Sequence, residues 1–261
     1  MPILHFKGKV LPYAPNHYRV DANEIPTVEW VDQAAQQTYK ISTKLENSVI
    51  DIEFEMQAFS GADQLASMAI RAWDLARLVV DLISFQQGWG LSVILDTLVM
   101  PAGLTSTFMP KDERLAQFST AIQPSGTPPI NNFDVCYRLI VAEPPLFMAL
   151  NDLIVSITLP HHGAVNCARA VEGLRVLMTS PAIDRKQAWP IFQTNLNIDR
   201  AYREYVTGTS TGPRHGDRAH IPGPIVMEVV KRSWIIMNRF LEYRKRGSVQ
   251  LPLPEFPLLT G

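Results

Sequence analysis

A change of hydrophobic period partway along the chain limits what it can fold into. Before about residue 125, apolar side chains recur at every second position around one long helical pattern; beyond it they recur at helical spacing. Period two belongs to strands and period 3.6 to helices, so the two halves cannot share one architecture. The switch falls at Gln123-Pro-Ser-Gly-Thr-Pro-Pro129, a run of turn formers that cannot continue either element. The chain therefore reads as α+β. A mostly antiparallel sheet with a packed helix is expected over residues 1–125, a bundle of four helices over 130–248, and a Pro-rich tail over 249–261.

In the first half, Tyr39, Ile41, Thr43 and Leu45 alternate with Lys40, Ser42, Lys44 and Glu46. Beyond Asn47-Ser48, Ile50, Ile52, Phe54 and Met56 alternate with Asp51, Glu53, Glu55 and Gln57. Alternation on both sides of a short polar link predicts a half-buried hairpin. Thr27–Val31 reads as an edge strand, and the evenly apolar run Leu91–Met100 as a central one. Between them, Ser60 and Asp63 predict a capped helix start. Leu65, Met68, Ala72, Ala76, Val80 and Ile83 form that helix's inner stripe, and Gly88-Trp-Gly90 its end. In the second half, helices are expected near 133–157 (kinked at Pro144-Pro145), 164–178, 188–206 and 224–246.

Composition narrows the function classes. No apolar run reaches the roughly 18–20 residues that span a bilayer, and Met1–Tyr13 shows no signal-peptide pattern, so a cytoplasmic protein is expected. Two cysteines, Cys136 and Cys167, are too few for a disulfide framework or a thiolate metal site. The net charge of −1 hides an asymmetry: residues 131–261 carry a net +4 and residues 1–130 a net −5. Of the 15 basic residues in the second half, 12 are arginine, whose planar fork suits phosphate.

Chemistry concentrates in Gly212-Pro-Arg-His-Gly-Asp-Arg-Ala-His-Ile-Pro-Gly-Pro224, between the third and fourth expected helices. Imidazole moves protons near neutral pH, and a guanidinium stabilises an anionic transition state without changing its own protonation. The two suffice for metal-independent cleavage of RNA, whose 2′-hydroxyl is its own nucleophile.

Arg214, the polar His215 after it, and His220 six positions on resemble the arginine–histidine signature of the HEPN superfamily. Members of that superfamily are helical bundles, many of them metal-independent ribonucleases, with the motif between the last two core helices. The resemblance covers roughly residues 131–248. The second expected helix, with Arg169 and Glu172 in an apolar stripe, also resembles that family's. The motif here sits in a Gly/Pro-rich loop instead of continuing a helix, which departs from the family pattern. The resemblance implies His220 as general acid or base and Arg214 as phosphate clamp, with His215, Asp217 and Arg218 in support. It implies RNA as partner, a homodimer through the bundle, no cofactor and no metal, and a role in phage defence behind an N-terminal sensor.

Other readings stand beside it. The same bundle can be a non-catalytic dimerisation or ligand-binding module, with Arg214 and His220 capping helix ends and Asp217 pairing Arg218. His215, Asp217 and His220, with His161-His162, could instead hold a metal, although no helical i, i+4 ligand pair is present. Asp51, Glu53 and Glu55 read as a solvated strand face. Trp73, Trp89, Trp189 and Trp234 read as core or helix-end anchors and not as a base-stacking platform.

Overall fold

The computed structural model describes residues 1–13, 20, 25–32, 36–108, 113–127, 130–159, 162–179, 183–214 and 221–261, apart from the side chains of Asp63, Glu113, Arg185 and Arg214. The chain forms two compact units, Met1–Met109 and Pro110–Gly261.

The first unit is a six-stranded antiparallel sheet with one long helix on one face. Its elements are β1 (Ile3–Leu11), β2 (Val28–Asp32), β3 (Gln37–Glu46), β4 (Val49–Glu55), α1 (Ala62–Gln87), β5 (Ser92–Val99) and β6 (Thr105–Thr107), in the spatial order β2-β3-β4-β1-β5-β6. The β3–β4 hairpin turns at Asn47 and Ser48, both at positive φ (53° and 63°), the geometry that matches strand twist in a two-residue link. Odd residues of β3 and even residues of β1 and β4 point to α1. Leu4, Phe6, Tyr39, Ile41, Ile52 and Phe54 are fully buried with Met68, Ala72, Ala76 and Val80 of the helix.

The opposite face is charged, and its charges pair across strands. Asp51 lies between Lys7 and Lys44 in register, accepts from His5 Nδ1 at 2.9 Å and meets Lys7 Nζ at 3.2 Å. The start of α1 differs in detail from the expected box: Gln64 Oε1 accepts from both Ser60 N and Ser60 Oγ, and no side chain caps Gly61. The run 91–100 is flanked by β1 and β6, one place from the sheet edge.

The second unit holds seven helices among the described residues: α2 (Asn132–Ala142), α3 (Pro144–Thr158), α4 (Gly163–Met178), α5 (Arg185–Leu196), α6 (Arg200–Thr209), α7 (Thr211–Arg214) and α8 (Gly223–Lys245). Two of the four expected helices are each divided. Instead of a kink, the chain bends by 114° between α2 and α3, because Pro144 and Pro145 fit only the first turn of a new helix. Glu143 at that bend pairs with Arg244 of α8. Asn197 ends α5 in the left-handed region (φ 51°), and Asp199 Oδ1 opens α6 by accepting from Tyr202 N at 2.6 Å. The small residues of α4 let neighbours approach: a Cβ on Gly163 would lie 2.9 Å from Val226 of α8.

The division between units falls at Met109/Pro110, ahead of the 124–129 loop where the period change placed it. The intervening segment carries a short 3-10 turn (Glu113–Phe118) and belongs to the helical core through buried Leu115 and Ala121. Ala121 N donates to Asn238 Oδ1 at 2.8 Å, and Trp234 Nε1 donates to Ser119 Oγ at 2.7 Å. The tail packs as well: Leu251 is buried, Asn197 Nδ2 donates to the carbonyls of Leu251 and Phe256, and Leu259 N donates to Asn197 O.

Two substitutions test this framework. Arg239 of α8, buried, donates to the carbonyls of Leu196, Asn197 and Pro257 at 2.7–2.8 Å. Arg239→Met should lower stability in urea by about 3 kcal/mol, since buried carbonyls lose their donors. Gly8 sits at a register shift where a Cβ would lie 2.0 Å from the carbonyl oxygen of Ile94. Gly8→Ala should therefore destabilise the sheet by about 1–3 kcal/mol, read by thermal melting.

Candidate functional site

The segment singled out by sequence enters and leaves the structure at defined places. Arg214 is the last residue of α7, which packs on α4 and α6; Thr211 and Ser210 hydroxyls both turn back to the carbonyl of Thr207. Ile221 packs, partly buried, against the helical core, and the Pro222 carbonyl accepts from Ile225 N and Val226 N as α8 begins. The side chain of Arg214 and the whole of His215, Asp217, Arg218 and His220 lie outside the described residues. His161 does also, while His162 is exposed just before α4. Among the described residues, no three His, Cys, Asp or Glu side chains come together as a metal site.

The elements that hold the two ends of this segment carry arginines laid over aromatic rings. Arg232 of α8 places its guanidinium carbon 4.1 Å from the ring centre of Tyr205 and 4.7 Å from that of Tyr202, both on α6. Its Nε donates to Glu228 Oε1 at 2.9 Å, and its Nη1 is buried with no partner among the described residues. Arg203 of α6 and Arg175 of α4 lie 4.6 Å and 5.2 Å from the ring centre of Trp189 on α5. Arg203 also donates to Glu204 at 3.2 Å. Further along α4, Arg169 meets Asp152 of α3 at 3.3 Å.

Such stacking holds a cation against a π face while leaving its N–H edge for an acceptor. Arginine and aromatic rings together are the groups that take phosphate and stacked bases of single-stranded nucleic acid. The same contacts also tie α4, α5, α6 and α8 to one another. Of these residues the sequence marks only Trp189, as a core or helix-end anchor. The available signal for Arg203 is its place between Tyr202 and Tyr205.

Burial sets the protonation of this cluster. It pushes the Tyr202 phenol up to about 12, against the lowering influence of Arg232. Burial also raises Glu228, but hydrogen bonds from Arg232 and Lys231 outweigh it and hold the carboxyl below its usual range. Asp152 is raised by burial despite Arg169. Cys136 and Cys167 are free and buried, and burial raises both thiols, which suits packing and not nucleophilic attack.

Residues 4–107 match the model of the N-terminal domain of a domain of unknown function, DUF8168, and residues 134–245 match the model of its C-terminal domain. No curated protein and no solved structure matches the chain.

The raised phenol has a measurable consequence. An unfolded tyrosine titrates near 10, so above that pH the unfolded chain loses a proton that folded Tyr202 keeps. Stability should therefore fall as pH rises from 10 towards 12. Alkaline ultraviolet titration should show a late step that Tyr202→Phe removes, together with part of that fall.

Proposed function

We propose that this chain, which belongs to the DUF8168 family through both of its domains, is a metal-independent endoribonuclease that binds RNA on its helical unit. The observation that carries the reading is the setting of the arginine–histidine segment. Its two ends are held by α4, α6 and α8, which bear Arg175, Arg203 and Arg232 on aromatic rings. These cations add positive potential to the helices that flank the segment, and steering of this kind raises encounter rates.

In this reading His220 takes the proton of the RNA 2′-hydroxyl, whose oxygen attacks the adjacent phosphorus. The 5′-oxygen leaves as its bond breaks, a protonated imidazole returns a proton to it, and a 2′,3′-cyclic phosphate remains. Arg214 holds the two non-bridging oxygens as negative charge builds on them. His215, Asp217 and Arg218 orient the pair or bind the backbone. A homodimer through the helical unit would set two such segments face to face, with one imidazole as base and the other as acid.

A second reading has its own support. The side chains of Arg203 and Arg232 are only 12% and 14% exposed, as expected of cations that lock helices together. A helical module that binds a partner without cutting RNA uses the same contacts.

One paired measurement separates the two readings. Arg214→Ala and His220→Ala should each lower cleavage of total RNA about a hundredfold or more, with melting nearly unchanged. Cleavage by the wild type should persist in excess EDTA. Loss in EDTA restored by zinc would move the assignment to the metal reading of His215, Asp217 and His220. Unchanged cleavage in both variants would remove Arg214 and His220 from catalysis, and no cleavage by the wild type would leave the binding module.

A further inference from the structure

The helix of the sheet unit carries an apolar face wider than the stripe that packs on the sheet, buried at Leu75 and Val79 and exposed at Leu78 and Leu82. Met68, Ala72, Ala76 and Val80 pack on the sheet. Leu75, Leu78, Val79, Leu82 and Ile83 continue round the helix at i, i+3, i+4, i+7 and i+8 and line one wall of a cavity of about 550 Å³. The other wall comes from Val28 on β2, Thr43 on β3, and Ile25 with Pro26 ahead of β2. Thr43 is only 6% exposed and forms the floor, whereas Leu78 and Leu82 remain 54% and 60% exposed at the rim. The cavity ends at Gln86, Gln87 and Trp89, where α1 terminates.

Three properties define what fits. The volume lies within the range of sites for small organic molecules. The helix wall from Leu75 to Gln86 is about 16 Å long, so the space is elongated. Among the described residues, the lining contains no Asp, Glu, Lys, Arg or His. An ionised group drawn against those residues would lose hydration with no opposite charge from them to replace it. The polar side chains among them are Thr43, Gln86, Gln87 and Trp89, whose hydroxyl, carboxamides and indole N–H can hydrogen-bond to a neutral partner.

We infer that this cavity is a binding site for an uncharged amphiphile, an aliphatic body with one neutral hydrogen-bonding head. The body lies along Leu78, Leu82 and Ile83, and the head reaches Gln86 and Gln87 at the open end. The site lies within residues 20–89, and it stands or falls independently of RNA cleavage.

The full-length protein can be tested directly with phenylnaphthylamine, which fluoresces when it enters an apolar site. Saturable fluorescence is expected, displaced by decanol, with decanoate weaker by about tenfold or more because its carboxylate meets no counter-charge among the described lining residues. Leu82→Glu places a charge at the rim and should weaken the probe about tenfold without lowering the melting temperature. Phe85→Glu is the control, since Phe85 is 91% exposed on the same helix but does not line the cavity. It should bind like the wild type. Unsaturable fluorescence, equal displacement by decanoate and decanol, or an equal effect of the Leu82 and Phe85 substitutions would each overturn the assignment.

Discussion

The helical unit depends on one buried cation. Arg239 is surrounded by carbonyls and not by carboxylates: those of Leu196 and Asn197 at the α5–α6 junction and of Pro257 in the tail. Two separate stretches of chain are thus fixed to one point on α8. Asn197 takes the left-handed conformation there and uses its own amide to hold Leu251 and Phe256. Asp199, two residues on, caps α6 and accepts from the N–H of Gly261 at 3.3 Å. The direction in which α6 leaves the junction therefore follows from Arg239 and the tail together. Because α6 carries Tyr202, Arg203 and Tyr205 and leads to α7, the support of the candidate site follows as well.

A different rule governs the arginines beyond that junction. Arg175, Arg203 and Arg232 rest on rings, where attraction to the π face does not use up their hydrogen-bonding edges. Glu228 and Glu204 each occupy part of those edges. The geometry works as a structural brace, joining α4 and α6 to α5, and α8 to α6, through the ring faces. An exposed pair such as Arg77 with Asp81, both on α1, joins no two elements.

Much of the fold was legible in local pattern. The β3–β4 hairpin, α1, α4 and α8 declare themselves through unbroken periodicity and their end signals. Strand β1 escaped notice although Leu4, Phe6 and Val10 alternate with His5, Lys7 and Lys9: its core-facing place at residue 8 is a glycine, which interrupts the apolar count. The missing side chain makes room for the carbonyl of Ile94, far along the chain. Residues 113–125 lie in the helical unit and not in the expected first half, because their attachment runs through Trp234 and Asn238, again distant in sequence. The breaks at 143 and 197 were local after all; Pro-Pro and Asn-x-Asp mark them. The arginine–aromatic cluster was hidden because each pair joins two helices, and no spacing along one helix encodes it. Arg214, His215, Asp217, Arg218 and His220 are marked by local composition and by the spacing of Arg214 and His220, which name a chemistry without arranging it.

The place of β1 in the sheet has a bearing on how the chain leaves the ribosome. The first strand of this sheet in chain order, β1, pairs on one side with β4 and on the other with β5, and with no strand close to it in sequence. Until residue 55 has been made, β1 has neither neighbour, and until residue 99 it has only one. The hairpin of β3 and β4 needs only a two-residue link and can form as soon as it is synthesised. The sheet thus grows outward from the β3–β4 hairpin and admits β1 late. Until then an apolar edge stays open on the nascent chain, where a holding chaperone has its longest opportunity to act.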